Sequence, residues 1–511
     1  MSELSGYDSE AIGFDSVSQR QRAGTTSSTQ TTDFSESGVA SQTCLSADIG
    51  CAASPEELGA EDDVLKEYPP PGLNEFLRKV VPGVLEQLDE NDKEFLYNSS
   101  DSDEEEVITA KLLQEIMVKT DVPTLGAGDQ AASVLGVAWS SAGNSLAVSI
   151  GHTHHEEWCQ HDGLIKIYTM KHSQGNKFVH TLDIAEKNCV TVVKYHPSLA
   201  ALLAYGTTSG EVVMCNLTSS SGFLDEGMQL TSPSGCHDSR RVSCLQWADA
   251  ALTNHFLLQQ IKNKGKRRGA SDQILMTSGS DGTINIWQVN ANLKIFSNVV
   301  CYNINGSRKI AAADITCFDF IKTYPLRPCE ERIPEHVFVV GTKSGKLYLC
   351  DTENCQAIAG SEELDPVSEV FEGHSTCVMD VAFSFQKPGI FASISMDSEL
   401  RIYDVNQNSP LKVVCIDVPI SCLSWLPNNA CLVVLGLSRG DGPALLRVYN
   451  ASSGRPLRVD GLSASSKSGV TALTVHQSGS CRIAAGDAEG ALRVWELPSR
   501  RVRLPLEDLE F

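Results

Sequence analysis

Apolar and polar positions alternate in short runs along most of this chain, and the runs come in pairs. One member is clearest at Ser278 to Val289, SGSDGTINIWQV, which holds small residues, an Asp-Gly turn, alternating Ile284 and Ile286, and a large aromatic, Trp287. Alternation at period two buries one face of a strand, and Asp281 and Gly282 are residues that tolerate the positive φ of a tight hairpin. The cadence recurs seven times, ending at Tyr168, Cys215, Trp287, Cys350, Tyr403, Tyr449 and Trp495, at successive spacings of 47, 72, 63, 53, 46 and 46 residues. Upstream of each turn lies a second apolar run: LGVAW, VTVVKYH, VSCLQW, ITCFDF, VMDVAF, ISCLSW and VTALTV. Each pair of runs is expected to supply the middle of a four-stranded sheet. Such sheets cannot hide both faces alone, so they must stack around an axis.

Seven copies close a ring. The pattern resembles the WD-repeat β-propeller family over residues 134–511, which implies an all-β, seven-bladed fold. Spacing carries the resemblance, since only Trp287 and Trp495 keep the family's Trp and its Gly-His pair is intact only at Gly373-His374. Asp281, Asp397 and Asp487 are expected to form turns and accept hydrogen bonds rather than to act as acids or bases. The last apolar run, Val502 to Leu506, leaves open which terminus supplies the outer strand of the seventh blade.

The front of the chain has a different texture. Residues 1–72 are rich in Ser, Thr, Gly, Asp and Glu, a composition that cannot bury enough surface to offset chain ordering, and are expected to form a disordered arm. Two short Thr/Ser-rich stretches in it, centred on Thr29-Gln30-Thr31 and Ser41-Gln42-Thr43, are suited to adding a strand to another protein's sheet edge. Residues 73–133 are expected to hold amphipathic helices and an acidic linker. Leu73, Phe76, Leu77, Val80, Val84, Leu85 and Leu88 fall on one helical stripe, which Pro82 is expected to kink or restart, and Val107 to Val118 is a second amphipathic stretch. Between them, Ser99, Ser100 and Ser102 sit in an acidic run that phosphorylation would deepen.

Charge sharpens this division. Residues 1–133 hold 27 Asp and Glu against 8 Lys and Arg, a net of −19, while the remainder holds 37 against 33, a net of −4. An acidic arm on a nearly neutral ring argues against nucleic acid as a partner. No run approaches the ~18–20 apolar residues of a membrane span, and the N-terminus has neither the basic nor the apolar part of a secretory signal. The 17 cysteines include no C-x-x-C pair and several replace core residues (Cys215, Cys244, Cys317, Cys350, Cys422), as expected of reduced thiols in the cytoplasm. No phosphate-binding loop, G-x-S-x-G elbow or H-E-x-x-H appears, so the chain is expected to bind rather than catalyse, with no cofactor. Four histidines and Cys159 between His152 and His161 have the composition of a zinc site but no known ligand spacing. A long insertion in the third repeat predicts a helix over Asn254 to Lys262, followed by a basic cluster, Lys262, Lys264, Lys266, Arg267 and Arg268.

The order of these parts resembles the dynein intermediate chain family. SIGHTHHEEW in the first blade, GLNEFLRKVVPGVLEQL ahead of the ring and AAGDAEGALRVWEL at its end draw it toward the branch serving dynein 2, the retrograde intraflagellar-transport motor. The resemblance implies a non-catalytic subunit whose Thr29–Thr31 and Ser41–Thr43 hold a hub-type light chain. It implies further that the Leu73–Leu88 stripe meets a roadblock-type light chain, with Tctex-type light chains as a third class. The propeller would clasp a dynein heavy-chain tail, and a second intermediate chain would complete the pair, in cytoplasm, cytoskeleton and cilium. An axonemal dynein intermediate chain is the alternative within the family, and a WD-repeat scaffold or substrate receptor for ubiquitin ligation or signalling the alternative outside it.

Overall fold

The computed structural model describes residues 76–82 and 108–498, apart from 119–132, the loops at 153–161, 219–227, 265–271, 305–312, 322–335, 439–444 and 463–467, and a few positions in shorter turns. The chain divides into two units, Met1–Asp103 and Glu104–Phe511. In the first, the described residues are a helical stretch at 76–82.

The second unit is a seven-bladed β-propeller. Its blades are four-stranded antiparallel meanders, the third extended by two short strands. The seven upstream apolar runs form the innermost strands, Ser133–Trp139, Val190–Tyr195, Val242–Trp247, Ile315–Phe320, Val378–Phe383, Ile420–Trp425 and Val470–Val475. Each neighbours the next, and the last returns to the first. This corrects the expectation that each pair of runs fills the middle of a blade. The turn cadence joins strands two and three, as Asp272–Gly279 and Thr283–Asn290 do in blade three, while the upstream run lines the axis. The second strands, packed between neighbouring blades on both faces, are the most continuously buried, as at Leu202–Thr207, Val337–Thr342, Ile390–Ser395 and Leu432–Leu437.

The seams between blades reuse one small device. Thr191, Thr316, Ser421 and Thr471 stand second in their inner strands. Each hydroxyl lies within hydrogen-bond distance of two carbonyls, a glycine's in its own blade and that of a valine at the start of the next inner strand, its first residue or, for Val134, its second. The glycines are Gly206, Gly341, Gly436 and Gly486, and a Cβ added to any of them would lie 2.2–2.8 Å from a valine of the next blade (Val242, Val378, Val470 or Val134). Close approach there needs a residue without a side chain.

Ring closure resolves the open question of the termini. Lys111–Met117 pairs antiparallel with Ala491–Glu496 and is the outer strand of blade seven. Just before it, Ile108–Thr109 pairs in parallel with Val459–Asp460 beyond blade six. The stretch from Val107 to Val118, expected as helix, is therefore strand where it is described, and the ring begins at Lys111 rather than at residue 134. The reason is tertiary: a bare edge on Ala491–Glu496 offers a ladder that outweighs a short segment's helical preference. The run Val502 to Leu506 lies outside the described residues.

The insertion in blade three is a helix, Ala250–Lys264, longer at both ends than the sequence predicts. Asp249 caps it by accepting the Leu252 N–H at 2.8 Å, and Leu252, Phe256 and Leu257 bury its inner side.

Candidate functional site

Two blades carry a buried polar network between the second and third strands. In blade three His237 Nε2 lies 2.8 Å from Thr277 Oγ1, and Trp287 Nε1–H donates to that same hydroxyl at 2.9 Å. On the other edge of the ring, His237 Nδ1 is 3.4 Å from Asp281 Oδ1. Burial pushes the Asp281 carboxyl up, but the bonds from His237 and Thr283 outweigh it and hold the group below the usual carboxylate range. Blade five repeats the arrangement with His374 Nε2 2.7 Å from Ser393, Nδ1 3.5 Å from Asp397, and Tyr403 in place of Trp. There burial lowers the His374 imidazole despite the nearby carboxylates. These groups fix turns.

The turn itself differs from the expected two-residue hairpin. Gly282 takes the positive φ (83°) and Asp281 does not, so the loop is three residues long with glycine in the left-handed position. Asp281 instead accepts from Thr283 N–H and hydroxyl. In blade five Ser398 takes that position, at φ 63°.

His237 is the residue that sequence reasoning missed. Cys236 interrupts the Gly-His pair, and His237, Asp238 and Ser239 all have positive φ, a strained bend that swings the imidazole into the slot. One signal was available: an apolar inner-strand run starts five residues after His237 and four after His374.

Asp487 forms its turn as Asp281 and Asp397 do, accepting the Glu489 and Ala491 N–H groups at 3.0 and 2.8 Å, but it also holds a cation. It ends the second strand of blade seven, fully buried, and accepts from Arg493 at 2.7 Å. Arg493 is also buried and donates through Nε to Glu115 on the closing strand at 2.8 Å. One guanidinium thus ties the last blade to the strand that closes the ring. Trp495 is buried beside Ala485, where blade three has Thr277.

Of the predicted partner sites, the structure describes only the middle of the helical stripe. Phe76, Leu77 and Val80 are solvent-exposed on the helix described over 76–82. Leu73, Val84, Leu85 and Leu88 lie outside the described residues, as do Thr29, Gln30, Thr31, Ser41, Gln42 and Thr43. The histidine-rich loop, except His152, and most of the basic cluster lie outside them as well. Among the described residues no helix is long and apolar enough to cross a membrane. On the ring, Met379 and Met396 stand exposed in blade five.

The WD domain, G-beta repeat model matches residues 366–404, from the outer strand of blade four through the third strand of blade five. With the closed ring, this makes the protein a WD-repeat β-propeller. Its curated homologues are dynein intermediate chains. It is 24% identical to Cytoplasmic dynein 2 intermediate chain 2 of Mus musculus over 506 residues, 96% of this chain and 88% of that one. Identity to the Homo sapiens protein of the same name is 22% over 445 residues, 84% and 77% of the two chains. Identity to Dynein intermediate chain 2, ciliary, of Heliocidaris crassispina is 23% over 351 residues, 67% of this chain but only 43% of that longer one. The comparisons support a dynein 2 WD-repeat intermediate chain.

Proposed function

We propose that this chain is a non-catalytic intermediate chain of dynein 2, linking light chains on its N-terminal arm to a heavy-chain tail on its propeller during retrograde intraflagellar transport. The observation that carries this is the extent of similarity: 96% of the chain aligns with a dynein 2 intermediate chain, so the likeness is not confined to the repeats that many WD proteins share. On this reading a dimeric hub-type light chain grips Thr29–Thr31 or Ser41–Thr43 and a second intermediate chain at once. Each contact raises the effective concentration for the next, so weak sites in series hold two arms together. The exposed Phe76, Leu77 and Val80 supply the apolar face for a roadblock-type light chain.

Similarity to ciliary and axonemal intermediate chains favours a second reading, service in an axonemal dynein. Affinity purification of the full chain from ciliated cells separates the two by the heavy chain recovered. Changing both Gln30→Ala and Gln42→Ala is expected to abolish recovery of hub-type light chain while the heavy chain still co-purifies. Unchanged light-chain recovery would remove the proposed role of the arm. Recovery of ubiquitin-ligase subunits with no dynein heavy chain would replace the whole reading.

A further inference from the structure

Three elements from two neighbouring blades bring metal-type ligands to one point. His255 lies on the blade-three helix, His336 immediately precedes the second strand of blade four (Val337–Thr342), and Glu353 follows that blade's third strand (Leu347–Asp351). Their ligand atoms all lie within 4.8 Å of one another. The two imidazoles stack with centroids 3.9 Å apart and planes 19° from parallel. His255 Nδ1 is 3.9 Å from Glu353 Oε1, too long for a hydrogen bond and about 0.5 Å beyond the edge of a tetrahedron whose ligands sit about 2.0–2.1 Å from the centre, so an ion would have to draw the two together.

Thr352 sets the orientation. Its N–H and its hydroxyl both donate to the His336 carbonyl, at 3.3 and 3.1 Å. With its one proton so used, Thr352 Oγ1 accepts from His255 Nε2 at 3.3 Å. In a neutral imidazole this places the lone pair on Nδ1, on the side of the Glu353 carboxylate. A lone pair turned toward an anion is an arrangement that a cation between them satisfies, and the carbonyl–hydroxyl–imidazole chain is the outer support that metal-bound histidines have. His336 is held at φ 68°, an uncommon conformation for this residue type.

The other cluster of this kind, His374, Asp397 and Glu399, is accounted for differently. Arg401 already lies 2.8 Å from Glu399, and His374 serves the blade network. Among the described residues no Lys or Arg pairs with Glu353.

We propose that His255, His336 and Glu353 bind a zinc ion. Two imidazoles and one carboxylate are a zinc donor set, and the exposed side of Glu353 leaves a fourth position for water. The ion would brace the inserted helix of blade three against blade four.

The test uses the full chain, stripped with chelator and titrated with Zn²⁺ alone. Wild type is expected to bind one equivalent that survives replacement of His154, His155, Cys159 and His161 by Ala together. His336→Asn, a residue that tolerates this φ, is expected to weaken that binding by more than about tenfold, with a metal-free melting temperature no lower than wild type. The exposed Glu353→Gln should also weaken it, and serves if the histidine variant fails to fold. Absence of zinc binding, its loss in the loop variant, or its persistence in both site variants overturns the proposal.

Discussion

At the scale of single residues, the seams are where the ring departs from its own rule. In blade five the seam hydroxyl is replaced by Met379, and the glycine by Ile394. Asp380 takes over, accepting from its neighbour Val381 N–H and, across the seam, from Leu423 N–H of blade six. Burial raises this carboxyl to about 6, with Lys194 opposing the rise. The folded chain therefore holds a proton between pH about 4 and 6 that the unfolded chain has released. The contribution is full below the unfolded value and is lost as pH climbs through the folded one. Unfolding by denaturant across pH 4–7 should show wild type losing stability relative to Asp380→Asn up to about pH 6 and then running parallel. Curves parallel throughout would exclude the effect. The Ser and Thr of VTVV, ITCF, ISCL and VTAL are plain in the sequence. Their role is not, because it depends on carbonyls 15 to 337 positions away.

At the scale of elements, the third strands were legible because turn, alternation and aromatic lie within one dozen residues. The closing strand was not. KLLQEIM has no turn beside it and no strict alternation, and its pairing partner lies at the other end of the chain. Arg493 shows how much rests on that pairing, since it reaches Asp487 within its own blade and Glu115 on the incoming strand. Arg493→Met would leave the Asp487 carboxylate buried without its cation, which costs about 3–5 kcal/mol. Chemical denaturation should register that loss in full, whereas a shift under about 1 kcal/mol would mean the joint is peripheral to closure.

For the whole molecule, counting runs was enough to number the blades, since each copy repeats the same local physics. The partner-binding stretches gain no such support from repetition, and most fall outside the described residues. The boundary between arm and ring follows from the closing strand. A chain lacking residues 1–107 should melt cooperatively near the wild-type temperature, while one lacking 1–118 should melt well below it and aggregate through the bared edge of Ala491–Glu496. Equal melting of the two would show the strand to be dispensable. The same strand also sets an order of events in the cell. Glu115 leaves the ribosome 378 positions before Arg493. At about 5–20 residues per second it waits roughly 20–80 s for its mate. Throughout that interval six blades can assemble but the circle stays broken, so the nascent polypeptide needs shielding, and a premature stop in the final repeat would strand it there.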